Sequence, residues 1–196
     1  QYSLDKKSKL TKKTVATLSH GKVTVLGLNR FDDFCNILLN LSNEQALSYG
    51  VPENVHAGES IDVRSQKNLA SYPDSIARDS EHFSFSSGPG ILMLDCDDEP
   101  GLPNETDVLR KLILTGCPEL GFAPMIHCAS SSSNIYNQKT GQRYSGLKGQ
   151  RFYILVKDSR DIPRVGDLLF KKMVLLGYGK IKISTSGQML LRSIID

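Results

Sequence analysis

The sequence predicts an α+β fold, on three observations. Short apolar runs rich in β-branched residues have the length of strands, and between them apolar residues recur at helical spacing. From residue 83 onward the order is strand, helix, strand, strand, helix, strand, strand, a mixture that favours one sheet with helices packed on one face. At 196 residues the chain has the size of one large domain or two tightly joined subdomains, and 39% hydrophobic content is enough for a core. The expected division is an N-terminal subdomain over 1–82 and a second over 83–196.

The elements follow in order. Residues 1–20, rich in Lys, Ser and Thr, are expected to be solvated, and Lys22–Leu28 to form a strand. Phe31, Phe34, Ile37, Leu38 and Leu41 mark a helix that ends near Gly50 and Pro52. Residues 53–82 are polar and predict an irregular stretch. Phe83–Phe85 alternates, a Ser-Ser-Gly-Pro-Gly turn follows, and Ile91–Leu94 predicts a buried strand. Asn104 or Thr106 is expected to cap a helix with Val108, Leu109, Leu112 and Ile113 inward, closing at Gly116. Met125–Cys128 predicts a strand, Ser130–Ser133 a polar loop and residues 137–141 a hairpin tip. Arg151–Val156 predicts a strong strand. Asp161 is placed to cap a helix with Pro163 in its first turn and Ile162, Val165, Leu168, Leu169 and Leu176 inward, ended by Gly177. Strands over Lys180–Ile183 and Met189–Ile195 complete the pattern.

Composition narrows the chemistry only a little. With 24 Lys and Arg against 21 Asp and Glu the net charge is +3, a weak pull toward an anionic partner. The cysteines Cys35, Cys96, Cys117 and Cys128 never form a Cys-x-x-Cys pair, which excludes the usual structural zinc spacings and points to a reducing cytoplasm. No apolar run approaches the length of a membrane helix, about 20 residues. Because the chain opens on Gln1 and its last strand stops at Asp196, it is expected to be a piece of a longer protein.

The chemically informative feature is the end of the Ile91–Leu94 strand. Asp95 and Asp97 stand two apart, so on an extended backbone both carboxylates project to the same face and can converge on one cation. Hard oxygen ligands suit Mg²⁺ or Mn²⁺, which leave coordination positions for phosphates. An acidic turn after a core strand is the plain alternative. An EF-hand loop is excluded, since Pro100 and Leu102 stand where further oxygen ligands are needed. Asp196, following Ile194 and Ile195, is a candidate third carboxylate if its strand lies beside the pair.

Other candidates carry two readings each. Lys148 and Arg151 flank Gly149 before a core strand and can contact phosphate or simply line a solvated hairpin. Lys182, Ser184 and Ser186 alternate into Gly187, offering donors to a nucleotide or forming an exposed turn. Ser130–Ser133 can donate to a template backbone or be a flexible loop; it lacks a Gly-x-Ser-x-Gly setting, which disfavours a serine hydrolase. Arg64, Lys67 and Arg78 can steer an anionic ligand, although scattered surface charge is the default. His20, His56, His82 and His127 are isolated; His82 lies just ahead of the strand leading to the acidic pair. No Walker Gly-x-x-x-x-Gly-Lys-Ser/Thr is present, which argues against an ATPase within these residues.

Three segments in order, GPGILMLDCDD (88–98), the stretch 130–184 containing KGQRFYILV, and LLRSIID (190–196), resemble the archaeo-eukaryotic primase superfamily. The likeness is nearest to primase-polymerase domains carried by bacterial plasmids, phages and integrative elements. It covers most of residues 83–196. The resemblance implies an RRM-like palm sheet and a catalytic site of Asp95, Asp97 and Asp196 holding divalent ions. It implies a triphosphate site near Gly149, with Arg151 where the family usually carries His, and with Lys148, Lys182, Ser184 and Ser186 as nucleotide contacts. The implied activity is template-directed nucleotidyl transfer with Mg²⁺ or Mn²⁺ on single-stranded DNA, with a primer and NTP or dNTP. A cytoplasmic bacterial setting and a helicase downstream in the full protein belong to the same expectation. Two alternatives stay open: a single-stranded DNA-binding module that has lost turnover through Arg151, and a metal-dependent nuclease.

Overall fold

The computed structural model describes residues 2–5, 10–12, 19–42, 44–48 and 50–195. The chain divides into two units, Gln1–Ser86 and Ser87–Asp196.

In the first unit β1 (Tyr2–Leu4) pairs antiparallel with β2 (Leu10–Lys12). A three-stranded sheet follows. Its strands are β3 (His20–Thr24), β5 (Ser60–Arg64) and β6 (Ile76–Ala77), in the order β3-β5-β6, with β4 (Val51–Pro52) preceding β5 in sequence. β3 runs antiparallel to β5 from His20↔Arg64 to Thr24↔Ser60, and β5 runs parallel to β6 through Val63↔Ile76 and Arg64↔Ala77. The strand expected over Lys22–Leu28 is therefore shifted toward the N-terminus. Gly58, at φ 90°, bends the partner chain, and Val25 makes the last exchange with Glu59 and Gly58.

The stretch 53–82 is not irregular as expected. Ile61 and Val63 turn inward while Ser60 and Asp62 are exposed, the alternation of a half-buried strand. A 3₁₀ helix, Gln66–Ser71, links β5 to β6. The helix α1 (Phe31–Asn40) starts where expected but stops well short of Gly50, because Leu41 is already extended. Its start is closed by Asp33, whose carboxylate accepts from the Arg30 N–H at 3.1 Å, and Phe34 is its buried anchor. Val51–Pro52 pairs with β7 (Phe83–Ser84).

The second unit holds the main core. Strands β8 (Gly90–Cys96), β9 (Met125–Ala129) and β10 (Gln150–Val156) form an antiparallel sheet in the order β8-β10-β9. The helix α2 (Thr106–Gly116) connects β8 to β9, and α3 (Ile162–Met173) follows β10. Alternation decides the faces: Leu92, Leu94, Cys96, Phe152 and Ile154 are buried against Leu109, Leu112 and Ile113 of α2 and Leu169 and Met173 of α3. Both helices thus cover one face of the sheet, as expected. Gly116 lets them close: a Cβ there would lie 2.8 Å from Leu169 Cδ2 and from Met173 Cε.

Several helix details differ from expectation. The stripe 109–112–113–116 faces the core, so Val108 falls off it and is 36% exposed. Leu168 and Leu176 are likewise exposed, because Leu169 and Met173 define the buried line of α3 and the π-turn Val174–Tyr178 rotates the following residues away. The N-cap of α2 is Glu105, and neither Asn104 nor Thr106 caps it; both side chains bond Gln150 instead. Asp161 precedes α3 but pairs with Arg164 rather than capping. Gly177, at φ 87°, ends the helical run as its position predicts.

The hairpin β11 (Gly179–Ile183) and β12 (Met189–Ser193) closes the described chain. Its second strand ends at Ser193 rather than Ile195. Ile194 and Ile195, 1% and 2% exposed, leave the ladder and enter the core with Leu92 and Leu94.

Candidate functional site

The face of the β8-β10-β9 sheet away from the helices carries the sequence's acidic pair. Arg151 stands opposite Asp95 on β8 and opposite Cys128 on β9, so these three share that face with Tyr153 and Met93. The Arg151 Nε donates to Asp95 Oδ1 at 3.2 Å. Burial opposes the charge of the guanidinium, but the Asp95 carboxylate and a hydrogen bond with Tyr153 hold it above its ordinary pKa. Both side chains are partly solvated, 42% and 33% exposed, so the ion pair contributes at most about 1 kcal/mol. Asp95 is therefore charge-compensated yet still open to a ligand.

Asp97 lies one step along the same face. A Cβ on Gly149 would lie 3.5 Å from Asp97 Oδ1 and 3.0 Å from Ser130 Oγ. The missing side chain at 149 thus leaves a gap between the second carboxylate and the first serine of the run. The serine run is closed by hydrogen bonds to residues 145–149. Ser130 N–H donates to the Gly149 carbonyl at 2.7 Å, Ser133 Oγ donates to the same carbonyl at 3.0 Å, and Ser145 Oγ donates to the Ser132 carbonyl at 3.0 Å. Lys148 reaches Ser133 through its backbone N–H, and its side chain is exposed. Expected as two separate polar features, the serine run and the Lys148–Arg151 segment form one rim beside Asp97.

The rim rests on Gln150, 0% exposed. Its Oε1 accepts from Thr106 Oγ1 at 2.7 Å and from His127 Nε2 at 2.8 Å, while its Nε2 donates to the Asn104 carbonyl at 2.6 Å and Asn104 Oδ1 at 2.9 Å. The Asn104 carbonyl can only accept, which fixes the amide's orientation and requires a proton on His127 Nε2. This network ties the loop after Asp97 to the strand bearing Arg151. Sequence patterning alone does not single out Gln150, and in it His127 reads as an isolated histidine. A glutamine in an apolar strand, on the face of Phe152 and Ile154, was the available signal.

The hairpin candidates are only partly drawn in. Ser184 and Ser186 bond each other at 2.9 Å in an exposed tip, and neither has a contact with Asp95, Asp97 or Arg151. Lys180 forms an ion pair with Glu99, two residues past Asp97. That hydrogen bond, with the charges of Lys180, Lys182 and Arg192, holds Glu99 below its ordinary value of 4.5. Lys182 thus contributes charge near the acidic loop. A depressed carboxylate pKa supplies stability above pH 4.5 that is lost as the pH falls through the lower folded value. Glu99→Gln is therefore expected to lower the unfolding free energy near neutrality, measured by urea titration, by at most about 1 kcal/mol, and to match wild type in acid; a gap that persists in acid would contradict the ion pair.

Asp196 lies outside the described residues, so the third carboxylate is not placed. The residues before it are: Ile195 borders the same surface cleft as Leu92, Met93 and Leu94 of β8, the edge strand that carries Asp95. Among the described residues, a group of three metal-capable side chains occurs elsewhere, at Asp79, Glu81 and His82 in the first unit. Asp79 Oδ1 there already accepts from the Glu81 and His82 N–H groups, each at 3.1 Å, and contacts His82 Nδ1 at 2.6 Å. The His82 side chain is the main reason Asp79 sits below its ordinary pKa. This is a self-satisfied turn, which explains His82 without a ligand. Among the described residues no helix is long and apolar enough to cross a membrane. Comparison with protein-family models, curated proteins and solved structures finds no match for the chain.

Proposed function

We propose that the second unit is a metal-dependent nucleotidyl transferase that extends or starts a strand on single-stranded DNA, a primase-polymerase core. The observation that carries this reading is the shared open face: Asp95 on β8 and Asp97 just past the strand's end, with Arg151 opposite Asp95 and the Ser130 rim beside Asp97. The order β8-β10-β9, with a helix after the first and third strands of the unit and Ile194–Ile195 entering the core beside β8, supports an RRM-like palm.

In this reading Asp95 and Asp97, joined by Asp196, hold Mg²⁺ or Mn²⁺, since paired carboxylates on one strand face fit a hard cation that keeps sites for phosphate. The ions supply activation of the primer hydroxyl and charge neutralisation on the leaving pyrophosphate. Arg151 shields Asp95 in the absence of ligand, and its remaining N–H groups grip the triphosphate without titrating. Lys148 and the Ser130–Ser133 hydroxyls donate to phosphate from the other side of Gly149, while Lys182 adds charge from the hairpin. Mg²⁺ or Mn²⁺, DNA template, primer and nucleotide, and a downstream helicase in a bacterial cytoplasm, all belong to this proposal.

The test is primer extension and unprimed synthesis on single-stranded DNA with either ion and either nucleotide set, using a chain that continues past Asp196. Incorporation that needs the metal supports the reading; DNA shortening without added nucleotides would replace it with a nuclease. The ion pair from Arg151 to Asp95 favours one second reading, a binding module whose carboxylate is permanently neutralised. Arg151→Gln separates them. In the transferase it removes charge-assisted bonds worth about 1.5–3 kcal/mol, so the nucleotide KM is expected to rise roughly 10- to 150-fold with incorporation still measurable. No incorporation in either protein, with DNA bound normally, would select the binding module.

A further inference from the structure

The first unit contains a cleft of about 430 Å³ whose lining includes Arg64, Ser65, Arg78 and Ser80 together with the carboxylates of Asp79 and Glu81. Its size falls within the range of small-ligand sites, about 300–1,000 Å³. Two polar atoms of these lining residues are buried and unmatched. The Arg64 Nε and the Ser65 Oγ are shielded from solvent and have no hydrogen-bond partner among the described residues. Ser65 occupies the N-cap of the Gln66–Ser71 turn, yet its hydroxyl makes no capping bond and is uncommitted. The Arg64 guanidinium lies over the Tyr72 ring, 4.2 Å from its centroid, which fixes its plane and leaves its edges to hydrogen-bond.

An arginine can only donate, so a buried Nε calls for an oxygen acceptor. Neither carboxylate of the lining bonds that Nε, and Asp79 Oδ1 is engaged by the Glu81 and His82 donors. Arg78, exposed and in the same lining, adds a second guanidinium. Two guanidinium groups and a hydroxyl around one concavity match the several acceptor oxygens of a phosphate better than the two of a carboxylate.

We infer that this cleft binds a phosphate group, presented either by a single-stranded nucleic-acid backbone or by a free nucleotide. The site consists of first-unit residues alone and stands independently of the reading given to Asp95 and Asp97.

The test compares wild type with Arg64→Gln, Ser65→Ala and Arg78→Gln, all in EDTA so that no divalent ion contributes at the acidic pair. The last two changes leave the stack of Arg64 on Tyr72 in place, and circular dichroism checks that each variant is folded. The probes are a fluorescein-labelled single-stranded DNA 20-mer, followed by anisotropy over a salt series, and ATP, followed by calorimetry. A backbone source predicts that the oligonucleotide Kd rises about tenfold on loss of a charged contact and that the salt slope falls by about 0.7 per phosphate contact removed, with ATP binding unchanged. A free-nucleotide source predicts the reverse pattern, an ATP Kd raised about tenfold with the oligonucleotide unaffected. Either pattern supports a phosphate site. Affinities for both probes that stay at wild-type level in the folded variants, or a wild type that binds neither, would overturn it. Because the readout is metal-free binding, failure here and failure of nucleotidyl transfer are separate results.

Discussion

Asp95→Asn and Asp97→Asn are each expected to lower nucleotide incorporation by at least about 10³-fold, since metal-assisted charge stabilisation supplies several kcal/mol of the barrier reduction. Asparagine keeps the shape and one acceptor oxygen but removes the charge that attracts a divalent ion. The two variants differ in a second respect. Asp95→Asn strips Arg151 of its ion pair, leaving the guanidinium beside only Tyr153, whereas Asp97→Asn leaves that pair untouched. Binding of Mn²⁺, followed by the ion's paramagnetic signal, should weaken in both. Template binding should survive in both, because positive charge on the face is retained. Single-turnover incorporation by either variant within tenfold of wild type would remove these carboxylates from the chemistry.

Gln150→Leu is expected to destabilise the second unit strongly. The side chain is 0% exposed and its four bonds serve Thr106, His127 and Asn104. Leucine fills a similar volume but leaves those partners unmatched, and each unmatched buried polar group costs about 1–3 kcal/mol. Some partners turn to water, since His127 is exposed, so a net loss of about 3 kcal/mol is the expectation. That corresponds to a fall of roughly 6–12 °C in Tm for a chain of this size. Thermal unfolding by circular dichroism measures it. The same change should slow incorporation, because the network joins the loop after Asp97 to the strand of Arg151. A Gln150→Leu protein with wild-type Tm would show that the network contributes nothing to the fold.

Much of this was legible locally. The apolar run ending in Asp-x-Asp pointed to a strand carrying its acidic residues at a spacing of two, the strand period. The stripe of Leu109, Leu112 and Ile113 and the stop at Gly177 were equally local. The strand β5 was missed because Ile61 and Val63 alternate with Ser60, Asp62 and Arg64, and that alternation was hidden in a polar stretch. Asn104 and Thr106 looked like caps because both are good caps in isolation. In the folded chain they face a buried amide from residue 150, whose need for partners outweighs a solvent-exposed cap.

Residue order and periodicity were enough for the α+β class, for the positions of the second unit's main strands and helices, and for Asp95 at the end of a buried strand. Local backbone sterics and side-chain periodicity are sufficient for each of these. Only the tertiary structure decided that β10 lies between β8 and β9, which puts Arg151 opposite Asp95 across 56 positions of sequence. Only it brought Ser130 and Asp97 to the two sides of Gly149, and gathered Arg64, Ser65 and Arg78 around one cleft. Strand order and register come from closing long loops against a shared apolar core. That free energy belongs to the whole chain, and no local window of residues carries it.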